Sequence, residues 1–239
     1  MSPQKIIIDC DPGVDDALAI ALARGSQELE LVALTTVSGN VSLERTTLNA
    51  RKLREYLGVP HVPVHAGCSG PFLRRRVDAA HVHGESGLGS VRIPSPKYPV
   101  NPGHAVEAII STLRDKPGEI TLVALGPLTN LALAVRTEPR IVDWAADLVI
   151  LGGSYTRGNL TPAAEFNIGV DPEAAAIVLE AGWTPTMIGL DTAGQAVATA
   201  SVVARMAAMG RLGAELLVPC ATCYGVVTPE SGPALYDVC

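Results

Sequence analysis

The sequence predicts an α/β fold: a mainly parallel central sheet with helices on both faces, Rossmann-like in layout. Three observations carry that expectation. Short aliphatic runs recur along the chain, and each is followed by Gly, Pro or Asp and then by a stretch of helical composition. No internal repeat or low-complexity linker interrupts the alternation. The runs are apolar on consecutive positions, as parallel strands covered by helices on both sides should be.

Residues 5–9 (KIIID) form the first expected strand, and 15–24 (DDALAIALAR) the helix that follows it, closed by Gly25. Residues 29–37, rich in Val, Leu and Thr, read as a buried strand. Residues 42–57 read as a helix with Ser42 as N-cap and Gly58 just past its end. A short strand is expected at 62–65, and Asn101-Pro102 is expected to open a further helix, with a cap residue followed by Pro in the first turn. Residues 120–125, 147–151 and 186–190 complete the set of apolar runs. In such sheets ligands bind beyond the carboxyl ends of the strands, so chemistry is sought there.

Of 239 residues, 48% are hydrophobic and 18% charged, enough for one buried core, so a single domain over residues 1–239 is expected. That apolar share excludes disorder as the main state. The net charge of −6 argues against a nucleic-acid partner, and Arg74-Arg75-Arg76 reads as a solvated loop. The N-terminus has no apolar signal region, and no run approaches the ~18 apolar residues of a membrane span. Five cysteines, an odd and scattered set, point to a reducing cytoplasm rather than to a disulfide framework. Cys220-x-x-Cys223 lacks a second pair and reads as helix-face packing, with half a zinc site or a redox pair as alternatives.

The chemistry concentrates where the first strand ends. Asp9-Cys10-Asp11-Pro12-Gly13-Val14-Asp15-Asp16 places four carboxylates within eight residues. Helix capping explains one or two of them. Four in one crevice would repel one another unless a cation intervened. Oxygen donors with no His or Cys beside them favour a hard ion, Ca²⁺ or Mg²⁺, with a purely structural turn as the alternative. A Mg²⁺-dependent phosphatase of the haloacid-dehalogenase type also begins with Asp-x-Asp after a strand, but its downstream Lys has no clear candidate among Lys5, Lys52, Lys97 and Lys116.

The run Asp9-x-Asp11-Pro12-Gly13-x-Asp15-Asp16 resembles the N-terminal signature of the inosine-uridine preferring nucleoside hydrolases. Further segments match in that family's order: Ser38-Gly39-Asn40, His83-Gly84-Glu85-Ser86-Gly87-Leu88-Gly89 and Ala124-Leu125-Gly126-Pro127-Leu128-Thr129-Asn130. After them come Gly158-Asn159-x-Thr161-Pro162-Ala163-Ala164-Glu165-Phe166-Asn167 and Asp171-Pro172-Glu173-Ala174. The resemblance implies hydrolysis of a ribonucleoside's N-glycosidic bond to ribose and free nucleobase, in the service of nucleobase salvage. It implies a bound Ca²⁺ that holds the attacking water. Asp11 would touch the metal and accept the water's proton. Asp16, the Leu125 carbonyl and Asp237 would complete the protein ligands. Asp15, Asn40, Asn159, Glu165 and Asn167 would hold ribose hydroxyls, and Phe166 would stack on the base or pack in the core. His83 corresponds to a base-facing histidine. The partners implied are a small nucleoside and further copies of the chain, as a dimer or tetramer, with neither nucleic acid nor membrane.

Two departures from that pattern stand out. Where many relatives carry a His before the last metal-binding Asp, this chain has Tyr236, and no His follows His104. Tyr236 is therefore the candidate to assist the leaving base. Relatives also continue through further helices after that Asp, so Asp237 is expected to be weakly anchored near a chain terminus. An altered or non-catalytic ribose-binding protein is the alternative these departures suggest.

Overall fold

The computed structural model describes residues 2–239. Six strands form one sheet in the order β3-β2-β1-β4-β5-β6. They are β1 (Gln4–Cys10), β2 (Leu29–Thr36), β3 (Val64–Ala66), β4 (Ile120–Ala124), β5 (Asp147–Leu151) and β6 (Thr186–Ile188). Every pairing is parallel, as the apolar runs predict.

Alternation along β1 divides the core. Ile6 and Ile8 face one layer, with α1 (Val14–Gly25) and α2 (Leu43–Tyr56). Ile7 faces the other, among Ile109, Leu122, Leu131 and Ile150. That second layer contains α4 (Ala105–Asp115), α5 (Thr129–Thr137), α6 (Ile141–Trp144) and α8 (Pro172–Leu179), while α3 (Ala80–His83) and α7 (Phe166–Val170) lie in the loops beyond the strand ends. After β6 the chain continues through α9 (Leu190–Ala193), α10 (Ala200–Ala207), α11 (Gly210–Leu212), a π turn (Gly213–Leu217) and α12 (Val218–Ala221). Leu216, Leu217 and Cys220 return the chain to the α1 layer.

Most boundaries shift by a residue or so, and three differ for an evident physical reason. The third strand starts at Val64, since Pro63 has no N–H to extend the ladder. The helix expected at Asn101 begins at Ala105 with His104 as N-cap: Gly103 adopts φ +87°, and the Asn101 carboxamide instead accepts the Val64 amide at 3.0 Å. The last strand stops at Ile188, because Gly189 caps α9.

The strand order reverses between β1 and β4. At such a switch the loops that leave the two strands diverge and open a crevice. The loop after β1 carries Asp11, and the loop after β4 begins at Leu125, whose amide donates to the Asp9 carbonyl at 2.8 Å.

Candidate active site

The crevice gathers nearly all the candidate residues. It is a cavity of about 470 Å³ lined by Asp15, Asn40, His83, Leu125, Asn159, Glu165, Phe166, Asn167, Tyr236 and Asp237, among others. Asp11 and Asp16 lie beneath it, 1% and 0% exposed.

Asp16 works as a cap. Its carboxylate accepts the Gly13 amide at 2.8 Å and the Asp11 amide at 3.2 Å, which fixes the Pro12-Gly13 turn. Asn40 then holds Asp11: its amide donates to Asp11 Oδ2 at 2.6 Å, and its Nδ2 donates to the Asp11 carbonyl and to Asp16 Oδ2, each at 3.2 Å. No residue other than glycine has positive φ among the described residues, so Asn40 makes these contacts from an ordinary backbone conformation.

The motif glycines are spacers for Asp11. A Cβ at Gly39 would lie 2.0 Å from Asp11 Oδ2, and one at Gly126 would lie 2.7 Å from Asp11 Oδ1. Only a residue without a side chain lets both loops close on that carboxylate.

Asp15, Asp16 and Asp237 offer ligand atoms that lie within 4.8 Å of one another. Asp11 Oδ1 and Asp15 Oδ1 are buried without a hydrogen-bond partner. Burial, reinforced by the neighbouring carboxylates, raises Asp11 and Asp237 well above the usual carboxylate range, and it brings Asp16 to about 7. Orphaned carboxylate oxygens in a shared, buried crevice fit a hard divalent cation. The Leu125 carbonyl, a further ligand implied by the resemblance, accepts Asn167 Nδ2 at 2.7 Å and keeps a second lone pair. Asp15, a sugar contact by the resemblance, stands in the carboxylate cluster that the sequence density suggests.

The expected weak anchoring of Asp237 is overturned. The residue is 6% exposed, and the segment before it is pinned by an antiparallel bridge between Val197 and Ala234. Flanking bonds run from the Ala198 amide to the Pro233 carbonyl (2.8 Å) and from the Leu235 amide to the Ala196 carbonyl (2.7 Å).

On the opposite wall, Glu165 is the buried N-cap of α7. Its carboxylate accepts the amides of Asn167 (2.8 Å), Ile168 (3.0 Å) and Gly153 (3.0 Å). Burial raises its pKa against those hydrogen bonds. Asn167 Nδ2 bridges the carbonyls of Leu125 and Leu151, tying together the ends of β4 and β5. Asn159 is exposed to the cavity, with its Oδ1 accepting the Phe166 amide at 2.7 Å. Phe166 is half-buried and lines the cavity.

His83 ends α3 and is 5% exposed, with Nδ1 accepting the Val14 amide at 3.2 Å. That bond puts the neutral ring's proton on Nε2. Burial lowers the imidazole pKa, and the neighbouring Asp15 only partly restores it. A Cβ at Gly13 would lie 2.4 Å from His83 Nδ1, which gives the Pro12-Gly13 glycine a second purpose.

The sequence reading missed Tyr224. Its ring stands edge-on to His83 (centroids 5.6 Å) and to Tyr236 (6.3 Å), so the three rings make one aromatic wall. Burial and the Asp15 carboxylate push its phenol far above the ordinary value. Cys220 is buried and Cys223 half-buried, and all five cysteines are free. No helix among the described residues is long and apolar enough to cross a membrane.

A family model described as "Inosine-uridine preferring nucleoside hydrolase" matches residues 6–239. A Leishmania major protein of that name is 50% identical over 218 residues, covering 90% of this chain and 69% of its own length. A "Pyrimidine-specific ribonucleoside hydrolase RihB" of Escherichia coli O1:K1 / APEC is 44% identical, covering 90% of this chain and 69% of its own. The solved structure of a purine-preferring ribonucleoside hydrolase from Gardnerella vaginalis superposes with TM-score 0.90 at 33% identity, over 98% of this chain and 77% of that one. The chain spans about two thirds of the length of the curated relatives it matches.

Proposed function

The chain belongs to the inosine-uridine preferring nucleoside hydrolase family, and on that premise we propose that it hydrolyses the N-glycosidic bond of ribonucleosides through the carboxylate crevice at the end of β1. The observation that carries this reading is the convergence of Asp15, Asp16 and Asp237 beside the unpartnered Asp11 Oδ1. The family match also removes the phosphatase alternative.

A hard divalent cation, Ca²⁺ on the family resemblance, would be held by Asp11, Asp16, Asp237 and the Leu125 carbonyl, with Asp15 beside them. When bound, such an ion supplies Lewis acidity toward water and ribose hydroxyls. The remaining work belongs to side chains. Asn40 aims Asp11, whose free Oδ1 accepts a proton from the attacking water. The water oxygen bonds to the anomeric carbon, and the electron pair of the glycosidic bond leaves with the base nitrogen. Asp15, Asn159 and Glu165 stand where the sugar would lie, and pairing with its hydroxyls would select ribose over deoxyribose.

The departing base faces the wall of His83, Tyr224 and Tyr236. His83 offers a hydrogen bond from Nε2, and the Tyr236 hydroxyl replaces the histidine that many relatives carry. Relatives include one named as pyrimidine-specific and one named as purine-preferring, so the family match leaves base preference open, and we assign it to the wall of His83, Tyr224 and Tyr236. A reducing, cytoplasmic setting accords with the five free thiols, and the family resemblance supports a homo-oligomer.

The test is release of reducing sugar from inosine, uridine, cytidine and adenosine, with and without chelator. Turnover that is abolished by chelator and restored by Ca²⁺ supports the reading. Absence of turnover with all four at saturating Ca²⁺ rejects it, and tight ribose binding without product would identify a sugar-binding protein.

A further inference from the structure

The loop that follows β5 supplies Asn159 to the cavity, and it contains little regular structure of its own. Residues 154–165 hold no helix or strand, and Tyr155 is 96% exposed. A loop of this kind needs an external anchor to hold a side chain to the accuracy that substrate recognition demands.

That anchor is Asp191, in the first turn of α9. Its Oδ2 accepts the Tyr155 amide at 2.6 Å, and its Oδ1 accepts the Thr156 amide at 3.2 Å and the Thr156 hydroxyl. Ser154 Oγ lies 3.5 Å from the same carboxylate and accepts the Arg157 amide at 2.9 Å, which closes the turn. The stem of the loop is clamped to the same element, because the Leu190 amide donates to the Gly153 carbonyl at 3.0 Å.

The turn leads directly into Asn159. The Gly158 amide donates to the Pro162 carbonyl at 3.0 Å and the Asn159 amide to the Ala164 carbonyl at 3.1 Å. A Cβ at Gly158 would lie 2.1 Å from the Ala164 carbonyl oxygen, so the chain there has no slack. Displacement of the turn at residues 154–157 is therefore passed on to Asn159 and, through its Oδ1, to the start of α7 at Phe166.

We propose that Asp191 is a positioning residue for ribose recognition: its carboxylate fixes the turn at residues 154–157 and thereby sets Asn159 at the cavity wall. The inference rests on the nucleoside hydrolase reading of the cavity and extends it to a residue outside the carboxylate cluster. Asp191 touches neither substrate nor metal ligand; it acts on the sugar through the loop.

The experiment compares wild type with Asp191→Ala, Asp191→Asn, Asn159→Ala and the Asp191→Ala/Asn159→Ala double variant, using steady-state kinetics and amide hydrogen exchange over residues 154–160. Asp191→Ala should raise KM about tenfold, the size of one charge-assisted hydrogen bond, with kcat changed much less. Asp191→Asn, which keeps one acceptor, should fall between. The double variant should be no worse than Asn159→Ala alone in kcat/KM, since both act through one side chain. Exchange at residues 155–160 should accelerate in Asp191→Ala and not elsewhere in the sheet. Additive losses in kcat/KM, or an unchanged exchange pattern, overturn the proposal. The exchange measurement needs no turnover, so a wild-type protein inactive on every ribonucleoside would sink the functional reading while the role of Asp191 in holding the loop is still decided.

Discussion

Gly39 and Asp11 approach so closely that a single methyl group on Gly39 would sit 2.0 Å from Asp11 Oδ2. The Ser38-Gly39-Asn40 segment therefore has two linked duties: Asn40 donates its amide to that oxygen, and Gly39 leaves room for the bond to form.

Gly39→Ala should displace Asp11 and cut kcat about a hundredfold, the cost of misplacing a catalytic group by about 1 Å. The strain should cost about 1–3 kcal/mol of stability, the range for overpacking a close contact. Steady-state kinetics and urea unfolding together check this; a fully active Gly39→Ala would remove Asp11 from the base role.

Asp11→Asn should abolish measurable turnover while the chain still folds, because the carboxamide can accept the Asn40 amide but cannot take a proton from water. Circular dichroism and product release checked on the same sample separate loss of chemistry from loss of fold.

Calcium should raise the thermal midpoint, since an ion that binds only the folded chain at a hundredfold excess over its Kd adds about 2.7 kcal/mol. Asp16→Asn and Asp237→Asn should each reduce the calcium-dependent shift severely. An equal shift in both variants and wild type would place the ion elsewhere.

Asn130→Ala should destabilise without touching substrate. Asn130 Nδ2 donates to Asp9 Oδ1 at 2.8 Å and to the Thr36 carbonyl at 3.0 Å, and its Oδ1 accepts the Cys68 amide at 2.8 Å. Leaving these buried groups unpaired costs about 1–3 kcal/mol for each one that water cannot reach. Denaturant unfolding measures it, and a loss below about 1 kcal/mol would mean that the network is dispensable.

Much of this site is legible in the sequence because it is local. Asp11, Asp15 and Asp16 fall close together where β1 passes into α1, and their density alone points to a cation, whereas Asp9, counted with them in the sequence, turns instead to Thr35 and Asn130. The parallel sheet is legible for a similar reason, as each aliphatic run declares its own strand. What sequence conceals is the purpose of residues whose partners are distant. Asn167 reads as a sugar contact by resemblance, yet its carboxamide bridges two strand-end carbonyls. Glu165 reads as a sugar contact by resemblance, and it is also a helix cap. Tyr224 and Asp191 carry no local signature, because their meaning depends on what the fold sets beside them. The glycines at 39 and 126 are visible as motif letters, but the Asp11 carboxylate that forbids any larger residue is visible only in three dimensions.

The bridge between Val197 and Ala234 has a kinetic consequence. It brings Asp237 to the same pocket as Asp16, so one ion would clasp segments more than two hundred positions apart in the chain. Peeling away the strand-turn unit that bears Asp16, or the closing segment that bears Asp237, would each require release of the ion first. Occupancy would then act as a lock on unfolding, slowing the opening of both segments together.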